Sequence, residues 1–354
     1  MRRLLMAALA LALVPAALRA QSKPEALWYY VDNEAAWTDL QRHIDQIDVL
    51  APDVFGVDSL GVLWGELDPR VLDLARAHHV RVMPLIVNKP FDYRALHVFL
   101  SNDAYVRRAV DATVEVCRRY HVDGIQVDFE NLHMNDRDAF TRFYRSLAEA
   151  LHGAGCQVSI AVVHRPDELA GPSAYDRWMM ETWRGGYDLK ALAEAGDFVT
   201  VITYSEHTRR TPPGPSAAID WVRQVTDYFL KFMPPQKLSL GIPTGAVRWY
   251  VSQEDRIVPE MARSYSQGLS YAWAMHELEI HDATPIWNDH YKTTYAFFPS
   301  GGTWQWIFLE DARSFQAKLD LVRQLGLRGY SVWVLGPEDP RTWDAARRGG
   351  AASR

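Results

Sequence analysis

The segment Asp123-Gly124-Ile125-Gln126-Val127-Asp128-Phe129-Glu130 carries an amide and two carboxylates at alternate positions. Alternation with period 2 is the pattern of a strand. Ile125, Val127 and Phe129 then point one way, and Gln126, Asp128 and Glu130 the other. Like charges held close push one pKa up, and a carboxyl that keeps its proton near neutral pH is a general acid. An edge strand with a solvated polar face is the bland alternative. Asp-Gly at the start and Glu at the end, around a short apolar run, fit instead a strand of a parallel sheet. Its polar face would then line a barrel interior or a cleft.

Such a strand needs elements to hold it. Apolar segments alternate along the chain with amphipathic ones, the pattern of βα units. Strands are expected at 26–31, 49–57, 80–87, 122–129, 157–163, 198–203, 238–242 and 329–334. Helices are expected at 69–78, 103–120, 137–152, 189–195, 217–232 and 312–325. Eight strands with intervening helices predict an α/β fold, a closed (β/α)8 TIM barrel. An open doubly wound sheet is the alternative, but Trp28-Tyr29-Tyr30 is too bulky for a Gly-rich phosphate turn after the first strand. Barrels of this kind react at the C-terminal ends of their strands. Glu130 closes the fourth strand, Tyr204 follows the sixth and Trp333 ends the eighth. Between 245 and 302 the βα pattern breaks into short apolar pieces at 249–251, 270–273, 284–287 and 294–298. A stretch this long with strands of its own predicts an inserted α+β subdomain after strand seven.

The 123–130 segment resembles the signature of glycoside hydrolase family 18, the chitinases and endo-N-acetylglucosaminidases, which reads Asp-Gly-apolar-Asp-apolar-Asp-x-Glu. Gln126 stands where the middle Asp is usual; the spore-cortex-lytic and chitobiase-like branches carry an amide there. Ile202-Thr203-Tyr204-Ser205 is similar to the family's Met-x-Tyr-Asp, with Ser205 in place of Asp. Glu310-Asp311-Ala312-Arg313-Ser314 resembles the entry to the last barrel helix in the cortex-lytic branch, where Asp311 also suits a helix N-cap. The resemblance implies retaining, substrate-assisted hydrolysis of β-linked N-acetylglucosamine, in which the sugar's own acetamido oxygen is the nucleophile. Glu130 would be the acid and base, Asp128 would accept the acetamido N–H, and Tyr204 would orient the acetamido oxygen. Trp333 would floor the cleaved subsite, and Gln126 would support Asp128 from below. Asp123 is expected to support structure. Trp28, Tyr30, Trp249, Trp287 and Trp306 are further surfaces for a sugar, with core packing as the competing use of each. Asn88 and Glu206 add polar groups to the candidate sugar-binding set, and His207 is an alternative to Glu206. A non-catalytic glycan-binding relative is the rival reading, but such relatives lose the acid glutamate and Glu130 is present.

Composition narrows the partners. The 354-residue chain has a formal net charge of −6 and no basic run, which argues against nucleic acid or an anionic membrane. Met1-Arg2-Arg3 followed by an apolar run to Leu18 and a small residue at Ala20 predicts a signal peptide over 1–20 and a secreted or periplasmic protein; Leu18-Arg19-Ala20 is an imperfect cleavage box, so an uncleaved anchor is the alternative. Twelve His lack metal-ligand spacing, so neither metal nor cofactor is expected. Cys117 and Cys156 are the only cysteines; one disulfide and two separate buried thiols are both open. The catalytic barrel is expected over 21–345, and the small, charged tail 346–354 is expected to fray.

Overall fold

The computed structural model describes residues 23–251 and 265–350. The predicted signal peptide lies outside the described residues. Eight parallel strands form a barrel: Glu25–Tyr30, Val49–Val57, a split third strand, Gly124–Asp128, Gln157–Val163, Phe198–Ile202, Leu238–Pro243 and Gly329–Trp333. They are called strands one to eight below. Strand one pairs with both strand two and strand eight, which closes the ring. Strand three comes as Arg81–Val82 and Leu85–Asn88 rather than one run. Pro84 between them has no N–H to give to a ladder.

The pleat sorts each strand between two environments. Leu27, Tyr29, Val49, Ala51, Met83, Leu85, Val87 and Phe198 form a cluster inside the ring. The larger core lies between the strands and the surrounding helices and takes Trp28, Tyr30, Ile125, Val127 and Phe129. Burying these side chains contributes about 1.5–3 kcal/mol each before chain entropy is subtracted. The helices begin at side-chain caps such as Asn102, whose oxygen accepts from Ala104 N–H, and Asp311, which accepts from Arg313 and Ser314. A disulfide joins Cys117 to Cys156, ahead of strand five, resolving the choice that spacing left open.

The inserted subdomain is larger than its expected 245–302 boundary. Its antiparallel sheet runs Tyr265–Leu269, Gly245–Val251, Thr303–Glu310, Thr293–Ser300, Ile286–Asn288 in spatial order. Gly301 and Gly302 do not end it: both have positive φ and turn a tight hairpin between Ser300 and Thr303. The expected strand at 270–273 is instead the start of a helix, Tyr271–Ile280, capped by the Ser270 hydroxyl. Ala274 and Leu278 bury together one helical turn apart against the sheet. The C-terminus also differs from expectation. Helix Thr342–Gly350 continues past residue 345, and Trp343, Ala345 and Ala346 are buried. Trp343 stacks on Trp28 at 4.1 Å, so the end of the chain is packed onto the barrel through Ala346.

Candidate active site

Strand four delivers its polar face to the barrel interior as its alternation predicts. Gln126 and Asp128 are buried, and Glu130 is half-buried just beyond the strand. Two contacts fix Glu130's backbone and a third holds the carbonyl that precedes it. Asn88, at the end of strand three, donates its amide to the Glu130 carbonyl at 2.8 Å and accepts the Glu130 N–H at 2.8 Å. Tyr187 donates its hydroxyl to the Phe129 carbonyl at 2.7 Å. Asn88 therefore uses both ends of its amide to position Glu130. Asp123 locks the base of the strand by accepting the Val82 N–H, the structural use expected of it.

Electrostatics separates these carboxyls from ordinary ones. Burial raises Glu130 from 4.5 to about 7. Asp128 is held well above its usual range, first by burial, then by the charges of Glu130 and Asp53. Its Oδ1 is buried with no hydrogen-bond partner. Burial likewise raises the phenols of Tyr29, Tyr187 and Tyr204. Tyr29, Asp128 and Glu130 all act on Tyr204, so these groups share one interior. Trp333, at the end of strand eight, packs against the interior cluster with its ring 5.3 Å from Tyr29. A buried carboxyl that keeps its proton toward pH 7 in the same interior as a phenol can protonate a leaving oxygen.

Beneath them Gln126 is buried and donates to Thr200 at 3.1 Å; Thr200 shares a hydrogen bond with Ser331, and Ser331 with Ser239. This chain ties strands four, six, seven and eight together under the carboxyls. Gln126 supports the floor by that route rather than by a bond to Asp128.

Three aromatic candidates fall elsewhere. Trp28 and Tyr30 lie on the outward side of strand one: Trp28 packs on Trp343 and Phe315, and Tyr30 donates its hydroxyl to Asp32. Tyr29 between them is the residue that faces the site. Strand one is apolar on both sides, so period alone could not assign its faces. Trp249 is fully buried and donates its indole N–H to the Gly214 carbonyl, which ties the insertion to the loop after strand six. Asp53 and Tyr187 were also missed. Asp53 hides in an apolar strand, and Tyr187 reaches the site from a loop without periodicity.

Glu206 lies two residues past Tyr204. It accepts the Ala218 N–H at the start of helix Ile219–Phe229, and burial raises it to about 7. With His207, Asn288, Tyr291, Tyr295, Trp306 and others it lines a cavity of about 310 Å³ between that loop and the insertion. Ser205 is exposed with φ +61°. Glu310, from the Glu-Asp-x-x-Ser motif, is buried and takes hydrogen bonds from Lys318 at 2.7 Å and Ser314 at 2.9 Å. That motif caps and seats the last barrel helix.

A closed barrel with paired carboxyls at the end of strand four defines a glycoside hydrolase of the chitinase type. The model of glycosyl hydrolases family 18 matches residues 28–338, and the chain belongs to that family. It is 24% identical over 327 residues to an uncharacterized glycosylase, YvbX, of Bacillus subtilis, covering 91% of this chain and 90% of that one. It is 28% identical over 256 residues to the cortical fragment-lytic enzyme of Bacillus subtilis, covering 72% of this chain but only 56% of that enzyme. Among solved structures the fold is shared with a chitinase from Chromobacterium violaceum (TM-score 0.80, 24% identity, 93% of this chain and 99% of that one). It is shared equally with the Bacillus cereus spore cortex-lytic enzyme SleL (TM-score 0.81, 20% identity, 94% of this chain and 75% of that one).

Proposed function

We propose that this glycoside hydrolase cleaves β-linked N-acetylglucosamine in peptidoglycan or chitin-type glycans by a retaining, substrate-assisted route. The observation that carries the reading is Glu130, raised to about 7 by burial at the mouth of the barrel beside a second carboxyl that resists ionising. Glu130 protonates the departing glycosidic oxygen and later takes a proton from water. Asp128, so disposed, is a poor nucleophile. It is a ready partner for an acetamido N–H, and the positive charge developing on the ring favours its anionic form. The acetamido oxygen attacks the anomeric carbon, with Tyr204 donating to it and Trp333 beneath the sugar. Peptidoglycan is favoured by the likeness to an enzyme described as cortical fragment-lytic.

The insertion sets substrate length in this reading. Tyr295, Trp306 and Phe308 turn the same way on its open face, with ring planes within 13–27° of one another, and Phe297 and Trp304 continue the row. Such a surface suits the flat C–H faces of pyranose rings. Export through residues 1–20 belongs to the same proposal; fractionation of producing cells tests it, and a cytoplasmic, full-length product argues against it. The function itself is tested by incubating the purified protein with chitin oligomers, peptidoglycan and cellulose oligomers and weighing the products. Cleavage confined to acetamido-bearing glycans is expected. Efficient hydrolysis of a cellulose oligomer excludes the acetamido nucleophile, and inertness toward all three excludes these substrates.

A further inference from the structure

Position 126 holds an amide where an acid is usual, and its N–H is committed to Thr200. A carboxyl reaches the same level of the barrel from another strand. Asp53 on strand two pairs with Leu85 on strand three, and Leu85 pairs with Gln126 on strand four. Side chains in register across neighbouring strands share a face, and Leu85 belongs to the interior cluster. Asp53 therefore stands in the same interior tier as Gln126, one step below Asp128. A register irregularity follows it, between Asp53 and Phe55, the kind of feature that re-aims side chains beside active sites. Its Oδ1 is buried without a hydrogen-bond partner, as is Oδ1 of Asp128. The cation near it is Lys89, with Nζ 3.8 Å from the carboxyl and over the Trp64 ring at 5.6 Å. Lys89 directly follows Asn88, the residue that clamps Glu130.

We propose that Asp53, with Lys89 as its counter-ion, is a positioning carboxyl of the reaction site. It governs from strand two how Asp128 and Glu130 hold their protons, the part an acid at position 126 would take from within strand four. The proposal rests on the glycosidase reading for its kinetic consequence alone. The groups facing Asp128 are Glu130 on its own strand, Asp53 from strand two, Tyr29 from strand one, Tyr187 from the loop after strand five and Tyr204 after strand six. The three phenols stay neutral across the working pH range because burial raises each. Asp53 and Lys89 are thus the charges from other strands that can be altered without touching a group that meets the substrate. Burial raises Asp53, Lys89 lowers it, and its own charge raises Asp128. Three carboxyls in a poorly solvated interior, faced by one ammonium whose side chain is 41% exposed, hold at least one proton at neutral pH, because burial disfavours each negative charge.

The test is the basic limb of kcat/KM against pH, where Glu130 loses the proton it must donate. Asp53→Asn removes a negative charge, so the carboxyls ionise more readily and the limb moves down by about 0.5–1 pH unit. Lys89→Met removes a positive charge and moves it up. Opposite displacements, with melting temperatures close to wild type, support the proposal. A limb that stays within about 0.2 pH unit in both variants, or moves the same way in both, overturns it, since a merely structural role lowers activity without such signs. Lys89→Met keeps the test alive if Asp53→Asn folds poorly. Infrared titration of the protonated-carboxyl band, compared between wild type and the same variants, needs no substrate. If the wild type hydrolyses no acetamido glycan, the functional reading fails while the band still decides whether Asp53 controls the buried protons.

Discussion

Strand four and the strands of the insertion sheet each bury one apolar face, yet they use the other face in opposite ways. In the barrel the apolar half packs against helices, and the polar half is shut inside the ring. There Gln126 and Asp128 are almost without solvent, and Glu130 rises to about 7. In the insertion Ala296, Phe298, Ile307 and Leu309 are buried against helix Tyr271–Ile280, and the other face presents Phe297 and Trp304 to solvent. The ring turns polarity into reactivity by withholding water. The single-layer sheet turns aromatic area into a flat surface. The two faces therefore respond differently to substitution.

The largest effect is expected in the barrel. Glu130→Gln should lower turnover by about 10²–10⁴-fold with glycan binding retained; near-wild-type turnover removes Glu130 from the mechanism. The same variant has a stability signature. Because the Glu130 pKa is higher folded (about 7) than its ordinary 4.5, folding takes up a proton between those values. The burden of this carboxyl is absent below about pH 4 and complete above about pH 7. Glu130→Gln should therefore raise the melting temperature at pH 8 and leave it unchanged at pH 3.5; equal shifts at both pH values contradict the assigned burial cost. Asn88→Ala sharpens the contrast without altering any charge. It removes both bonds to the Glu130 backbone, and a misplacement near 1 Å is enough for about a 10²-fold loss in kcat. A rise in KM alone, with kcat kept, goes against a positioning role.

Smaller effects are expected on the insertion, and they should split. Trp249→Ala removes a buried indole and its bond to Gly214, lowering stability by about 3–5 kcal/mol in a denaturant titration. Trp304→Ala touches an exposed ring, so melting should hold while KM for long oligomers rises about 3–10-fold, a stacking contribution near 1 kcal/mol. Unchanged KM for every chain length takes the open face out of substrate binding. Reducing the Cys117–Cys156 bond should cost about 2–4 kcal/mol of stability, with activity of the folded fraction intact.

How far the sequence could be read follows the same division. Strand four was legible because its two faces differ in polarity, so parity, level and chemistry came together. Strand order and the seventh-strand insertion followed from alternation along the chain. Strand one was legible as an element but not as a pair of faces. Trp28, Tyr29 and Tyr30 are all large and apolar enough to be buried on either side, and the inward one was Tyr29. Asp53 was hidden by its neighbours Val49–Val57, whose run reads as fully buried. In the insertion, Tyr-Ala-Trp after Ser270 imitates a short strand, and the helix shows only in the longer-range pairing of Ala274 with Leu278. The Gly301-Gly302 turn looked like an end because a hairpin and a boundary share the same residues. Tyr187 and the Asn88 clamp act through contacts between distant segments, which no local period reports.

Proton NMR of the first product released from a chitin oligomer or a peptidoglycan fragment tests the central claim most directly. Attack by the substrate's acetamido group, with Glu130 as acid and then base, predicts that the new reducing end appears first as the β-anomer and only later equilibrates. Initial release of the α-anomer would mean that water attacks directly, and would contradict the roles assigned to Asp128, Glu130 and Tyr204.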